Sequence, residues 1–222
     1  MYELLVREPE KENLGLVILL PGRGQPCLDM INRYDRASNL ANMRLIAVEP
    51  IDEWYPAPNG VGDQSEAIWG LKLTVPEFEN FVTDLEREYE VDRANIVLAG
   101  FSAGAVLAIQ VAANTDRPFG AVVVHNGAIL DPESMLESKN NTPFLVFHNM
   151  NDDCFEWEER YLPMKEALES NNYDVDFIEG ETGGHYIADE DVKFAGNWIK
   201  KTLNHPEEGH TEDSIPVPEL DE

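Results

Sequence analysis

Six short apolar runs recur along the chain: Leu16–Leu20, Leu45–Val48, Ile96–Ala99, Ala121–Val124, Phe144–Phe147 and Val175–Ile178. They are rich in Val, Ile, Leu and Phe and show little polar alternation. A strand with one wet face alternates, whereas a strand covered on both faces reads as an unbroken apolar run, the pattern of a parallel sheet. Tyr2–Val6 adds a candidate edge strand.

Helical periodicity falls between these runs. Thr74-Val75-Pro76-Glu77 reads as a capping box, with Thr74 as N-cap and Glu77 reaching back. Phe78, Phe81, Val82, Leu85 and Tyr89 follow at spacings of three and four, which marks one buried face. Ala103–Ala113 is apolar almost all round, as a helix near the centre would be. Met164–Glu169 is a third helix, with Pro163 suited to its first turn. Asp191–Leu203 is a fourth, turning Val192, Ala195, Trp198, Ile199 and Leu203 inward; Lys200 and Lys201 complement the dipole at its end. Strands alternating with helices predict an α/β fold, a mostly parallel doubly wound sheet with helices on both faces. We expect one domain over residues 1–203. Residues 204–222 contain Pro206, Pro216 and Pro218 among many acids and have no helical period, so they read as an acidic, flexible tail.

Charge narrows the partners. The 222 residues include 43 Asp and Glu against 16 Lys and Arg, a formal net charge of −27. Such a surface repels phosphate backbones and anionic lipid, which argues against nucleic-acid binding and favours neutral or cationic small molecules. Adaptation to high salt is an alternative source of the excess. Cys27 and Cys154 form no CxxC pair and fit no zinc spacing, so free thiols in a reducing compartment are expected. The N-terminus does not have a signal-peptide pattern. The longest apolar run, Leu14–Leu20 with Gly15 inside it, is too short to span a bilayer. These features together predict a cytoplasmic protein with no membrane span.

In an open α/β sheet, ligands bind beyond the carboxyl ends of the strands, so the chemistry should follow the apolar runs. Gly100-Phe101-Ser102-Ala103-Gly104 directly follows the run Ile96–Ala99 and opens the Ala-rich helix. A sharp strand-to-helix turn there would expose the Ser102 hydroxyl above the sheet as a nucleophile. Pro21-Gly22-Arg23-Gly24-Gln25 follows the first apolar run and is placed to supply an oxyanion-hole amide. The expected donors are the backbone amides of Arg23 and Ala103. A nucleophilic Ser needs a His base, and the His needs a carboxylate to fix its tautomer. Asp152 and Asp153 both lie just past Phe144–Phe147, and position alone does not separate them. His185 sits in Thr182-Gly183-Gly184-His185-Tyr186, after the last apolar run and before the last helix. His205 and His210 belong to the tail, while His125 and His148 precede any suitable acid and read as structural.

With these residues in place, the sequence resembles the phospholipase/carboxylesterase family of α/β-hydrolases, which includes small bacterial carboxylesterases and acyl-protein thioesterases. The likeness covers about residues 14 to 200 and rests on LLPGRGQ, Trp54-Tyr55-Pro56, LAGFSAGA, HNMNDD and GGHYI. The family's His-Gly-x-x-Asp pattern, matched with one change by His148-Asn149-Met150-Asn151-Asp152, selects Asp152. The resemblance implies an α/β-hydrolase fold with no large cap and no cofactor, and no metal ligands are expected at the site. It implies that Trp54 and Tyr55 lie near the substrate cleft; Phe101, Met150 and Tyr186, beside the nucleophile, acid and base, complete the expected substrate-binding set. Pro21, Ala103 and Asn149 depart from the family's usual His, Gln and Gly, and so weaken any transfer of substrate preference. The expected activity is serine carboxylesterase action on short-chain, neutral small-molecule esters through an acyl-enzyme, by a monomer or homodimer. The alternatives are an acyl-thioesterase and a non-catalytic binding protein on the same scaffold.

Overall fold

A computed structural model describes residues 2–56, 64–132, 140–181 and 183–203. All six apolar runs are strands, most of them a residue or two longer than expected. They are β2 (Leu16–Leu20), β3 (Arg44–Pro50), β4 (Ile96–Phe101), β5 (Ala121–His125), β6 (Phe144–Asn149) and β7 (Val175–Gly180). The edge strand β1 (Tyr2–Arg7) pairs antiparallel with β3, and the remaining pairings are parallel. The seven-stranded sheet has the order β1-β3-β2-β4-β5-β6-β7.

Alternate residues of the same strands face two separate cores, which is why the runs show no polar period. Leu16, Ile18, Leu20, Leu98 and Val124 pack under α2 (Ser65–Glu88), α3 (Ala103–Ala113) and α4 (Leu162–Ser170). Val17, Leu19, Ala99 and Val123 pack under α1 (Cys27–Ala37) and α5 (Asp189–Thr202). α3 is buried along its whole length, as its composition predicts. Pro163 falls in the first turn of α4, which follows a π-helical turn at Trp157–Tyr161.

Two features differ from the sequence-based expectations. α1 is an additional helix; Cys27, Met30, Ile31 and Tyr34 are its buried residues, an i, i+3, i+4, i+7 stripe diluted by charges. Thr74 is not an N-cap. α2 runs unbroken from Ser65 to Glu88 with Pro76 inside it, and the Thr74 hydroxyl donates to the carbonyls of Trp54 and Gly70. The buried stripe continues through Ala67, Gly70 and Leu71 before the proline and through Phe78, Val82 and Leu85 after it. Packing along 24 residues outweighs the one backbone bond that Pro76 forfeits.

Behind the sheet, Arg93 is 2% exposed and forms two hydrogen bonds to Glu79 and one to Glu86, while Arg117 holds the other face of the Glu86 carboxylate. Burial alone would raise the pKa of Glu86; the two guanidinium partners lower it on balance. Arg93→Ala removes one partner of a buried carboxylate and is expected to destabilise the fold by about 3–5 kcal/mol. Urea unfolding of the variant checks this. No described helix is long and apolar enough to cross a membrane. Cys27 is buried and Cys154 exposed, and both are free thiols. The predicted tail, 204–222, with His205 and His210, lies outside the described residues.

Candidate active site

The rim at the carboxyl ends of β2, β4, β6 and β7 gathers the candidate groups. Ser102 stands between β4 and α3 with φ 53° and ψ −119°, a conformation that costs a residue with a side chain. Its amide donates to the His125 carbonyl at 3.1 Å, and its carbonyl starts α3 by accepting from Val106. The turn is tight enough to require its glycines. A Cβ at Gly100 would lie 2.5 Å from the Cα of Ala105, and one at Gly104 would lie 2.1 Å from the Leu20 carbonyl oxygen. The strained turn therefore lifts Ser102, half-buried, onto the rim.

The Pro21–Gln25 loop abuts this turn. A Cβ on Gly22 would come within 2.9 Å of Phe101 and 3.2 Å of the Ser102 Cβ. The loop is tied internally by the Gly22 amide to the Gln25 side chain at 3.0 Å, and externally by Trp54 Nε1, which donates to the Pro21 carbonyl at 2.8 Å. Arg23, Ala103, Trp54 and Tyr55 line one small cleft of about 90 Å³ with Glu49, Asp52 and Glu53. Trp54 and Tyr55, which the sequence placed near the cleft, are almost wholly buried among its lining residues. Arg23 pairs with Glu53 at 3.8 Å.

The candidate acid and base, Asp152 and His185, lie just past the ends of β6 and β7. Asp152 is buried, and its Oδ2 accepts from His185 Nδ1 at 2.8 Å. Its Oδ1 accepts from the amides of Cys154 and Phe155, each at 2.8 Å. Asp153 is exposed. The structure therefore separates the two aspartates that position could not. Burial would raise the Asp152 pKa, but the bonds from His185 and the two amides lower it overall, so the carboxylate is ionised. An ionised carboxylate only accepts, so Nδ1 donates to it, and in the neutral imidazole Nε2 is then the nitrogen with the free lone pair. The imidazole lies between Phe101 and Phe155, with ring centroids at 4.8 Å and 5.7 Å. Phe101 adjoins Ser102, so its tilted contact with the imidazole brings His185 to the strand end that carries the hydroxyl. Phe155 is a wall of the site that the sequence analysis does not single out; its signal is only its place three residues after the acid. Met150 and Tyr186 are exposed on the loops carrying Asp152 and His185.

The other two described histidines serve the core. His125 is fully buried, bonded at Nε2 to the Tyr34 hydroxyl at 2.8 Å and stacked on Phe147; burial pushes its pKa down to about 3. His148 stacks on Tyr161 and is bonded through Nε2 to the Phe155 carbonyl. Among the described residues, Asp152, Cys154 and His185 bring possible metal-ligand atoms within 4.8 Å of one another. Asp152 and His185 are already bonded to each other, and burial and the neighbouring aspartates raise the Cys154 pKa, so the thiol stays protonated. The donor set serves a proton-transfer pair better than a metal.

Comparison with known proteins gives the family and the fold. The sequence matches the model of the phospholipase/carboxylesterase family over residues 2–203. A probable carboxylesterase of Oryza sativa subsp. japonica is 28% identical over 131 residues, which cover 57% of this chain and 53% of that protein. The matched region thus spans about half the length of the rice protein. Among solved structures, esterase PE8 superposes with a TM-score of 0.82 at 21% identity, covering 90% of this chain and 99% of its own. Zea mays acyl-protein thioesterase 2 does so with a TM-score of 0.75 at 17% identity, covering 90% of this chain and 99% of its own. At these identities the structural likeness is one of fold.

Proposed function

The chain belongs to the phospholipase/carboxylesterase family, and on that premise we propose that it is a serine carboxylesterase acting on short-chain, neutral or cationic esters through an acyl-enzyme. The observation that carries the reading is the 2.8 Å bond from His185 Nδ1 to a buried, ionised Asp152, formed beside the strained turn of Ser102. Ser102 Oγ attacks the ester carbonyl while His185 Nε2 takes its proton, and Asp152 stabilises the imidazolium. The amides of Arg23 and Ala103 hold the oxyanion as the tetrahedral adduct forms. The adduct collapses, the alkoxide takes the proton from His185 and leaves as the alcohol, and the acyl group remains on Ser102. His185 then removes a proton from water, the resulting hydroxide attacks the acyl carbon, and Ser102 leaves with that proton as the acid is released.

Two features support the substrate class. The cleft beside the oxyanion loop is small, which suits short acyl chains. Among the described residues it also carries Glu49, Asp52 and Glu53 against Arg23, which disfavours anionic esters.

The test combines a fluorophosphonate probe with p-nitrophenyl esters of graded chain length and a matched thioester, on wild type and Ser102→Ala, at low and high salt. Wild type is expected to be labelled and to turn over the shortest esters fastest. Ser102→Ala is expected to be unlabelled and inactive. Ester turnover that survives in Ser102→Ala defeats the reading, and faster turnover of the thioester moves the substrate to the acyl-thiol class.

A further inference from the structure

His185 rides on backbone that is neither helix nor strand, between β7 and α5. Such a segment has no ladder of its own to fix the imidazole, yet proton transfer tolerates little misplacement. Its restraints must come from other elements, and two asparagines supply them. Asn149 Nδ2 donates to the Gly184 carbonyl at 2.9 Å, and Asn126 Nδ2 donates to the Tyr186 carbonyl at 2.8 Å. The residues on both sides of His185 are therefore held by side-chain amides.

The two asparagines are themselves joined. The Asn149 amide donates to Asn126 Oδ1 at 3.2 Å, and the Asn126 amide donates to the Phe147 carbonyl at 2.9 Å. This fixes how the Asn126 side chain points: turned over, it would set donor against donor at Asn149 and acceptor against acceptor at Tyr186. Asn126 is 2% exposed and takes φ 47°, a left-handed conformation that Asn tolerates better than most residues. Asn149 ends β6 opposite Gly180 of β7. A Cβ on Gly180 would lie 2.3 Å from Asn149 Oδ1, and one on Gly183 would lie 3.0 Å from the same atom. The end of β7 and the loop after it are thus cut back to seat this side chain.

We propose that Asn126 and Asn149 are positioning residues for the base. They clamp the His185 loop from both sides, so that Nδ1 keeps its bond to Asp152 and Nε2 stays directed at Ser102. The proposal rests on the hydrolase reading for its kinetic consequence but not for its structural one.

The test uses Asn149→Gly, which removes the side chain, with Asn149→Asp and Asn126→Asp, which keep its size, exchange the donating NH2 for an accepting oxygen and add a charge. Each is assayed on a short p-nitrophenyl ester, and the His185 Nδ1 proton is followed by low-field proton NMR. The clamp predicts a kcat loss of about 10- to 100-fold with KM changed by less than about two-fold. It also predicts a broadened or absent Nδ1 resonance in protein that still melts cooperatively. If Asn149→Gly does not fold, the two isosteric variants decide the question. Folded variants with wild-type kcat and a sharp Nδ1 resonance overturn the clamp. Absence of Ser102-dependent turnover in wild type defeats the hydrolase reading alone, because the resonance still reports on the loop.

Discussion

Asp152→Asn is expected to lower kcat by about 10⁴-fold while leaving the fold and ester binding nearly intact. The direction follows from which oxygen does what. Oδ1 is committed to the amides of Cys154 and Phe155, and Oδ2 to His185 Nδ1. In the asparagine variant the two amides still require an oxygen, so the side-chain NH2 is turned toward His185. A donor now faces Nδ1, which must become the acceptor, and the imidazole proton moves to Nε2. The base then points an N–H at Ser102 and has no lone pair to receive the hydroxyl proton. Steady-state kinetics on a short p-nitrophenyl ester, with cooperative unfolding as the control, measure the effect. A loss of less than about ten-fold would mean that Asp152 does not set the tautomer.

The second large effect concerns stability in acid. His125 has its pKa depressed from 6.5 to about 3, first by burial and then by the charge of Arg33. The unfolded chain takes up a proton at this position as pH falls below 6.5, whereas the folded chain does not until about 3. Stability is therefore complete above the unfolded value and drains away across that window. The shift corresponds to about 5 kcal/mol lost between neutral pH and the lower end. Asp152 and Glu86, whose pKa values are lowered in the fold, add their own losses below the ordinary carboxylate range; Asp191, raised by burial, opposes them. Urea titrations from pH 7.5 to pH 4 should show unfolding free energy falling well before the carboxylates titrate. In His125→Phe, which preserves a ring against Phe147, the upper part of that slope should flatten. An unchanged slope in this variant would show that His125 is not its source.

Five of the six strands β2 to β7 were readable because burial on both faces leaves unbroken apolar runs; β7, half-buried and carrying Asp176, shows the pattern more weakly. Helix boundaries were less readable. The Thr74–Glu77 segment has the local chemistry of a helix start, but the buried stripe on both sides of it carries the helix through. α1 shows its stripe only at four positions among Asp29, Arg33, Asp35 and Arg36. At the site, Ser102 and His185 were visible because glycines mark the turns that present them. Choosing between Asp152 and Asp153 needed the family's spacing, because the turn that buries one and exposes the other depends on amides farther along the chain. Asn126 was invisible for a related reason: its partner carbonyl lies 60 positions away, and no local pattern records such a contact.

Gly104 meets the Leu20 carbonyl with no room for a methyl group, and Gly22 is crowded against the Phe101 ring and the Ser102 Cβ, where a methyl group would force Phe101 to shift. The Ser102 turn and the Pro21–Gln25 loop are thereby packed into one block with little tolerance for added side chains. Asp52 and Glu53, exposed on the rim of the same cleft, face no such constraint, whereas Glu49 accepts from the Cys27 amide at the start of α1. On the proposed hydrolase reading, evolutionary drift and laboratory selection have their latitude at the perimeter, where replacing the exposed carboxylates can retune which esters are accepted while the glycine-packed turn beside Ser102 stays constrained.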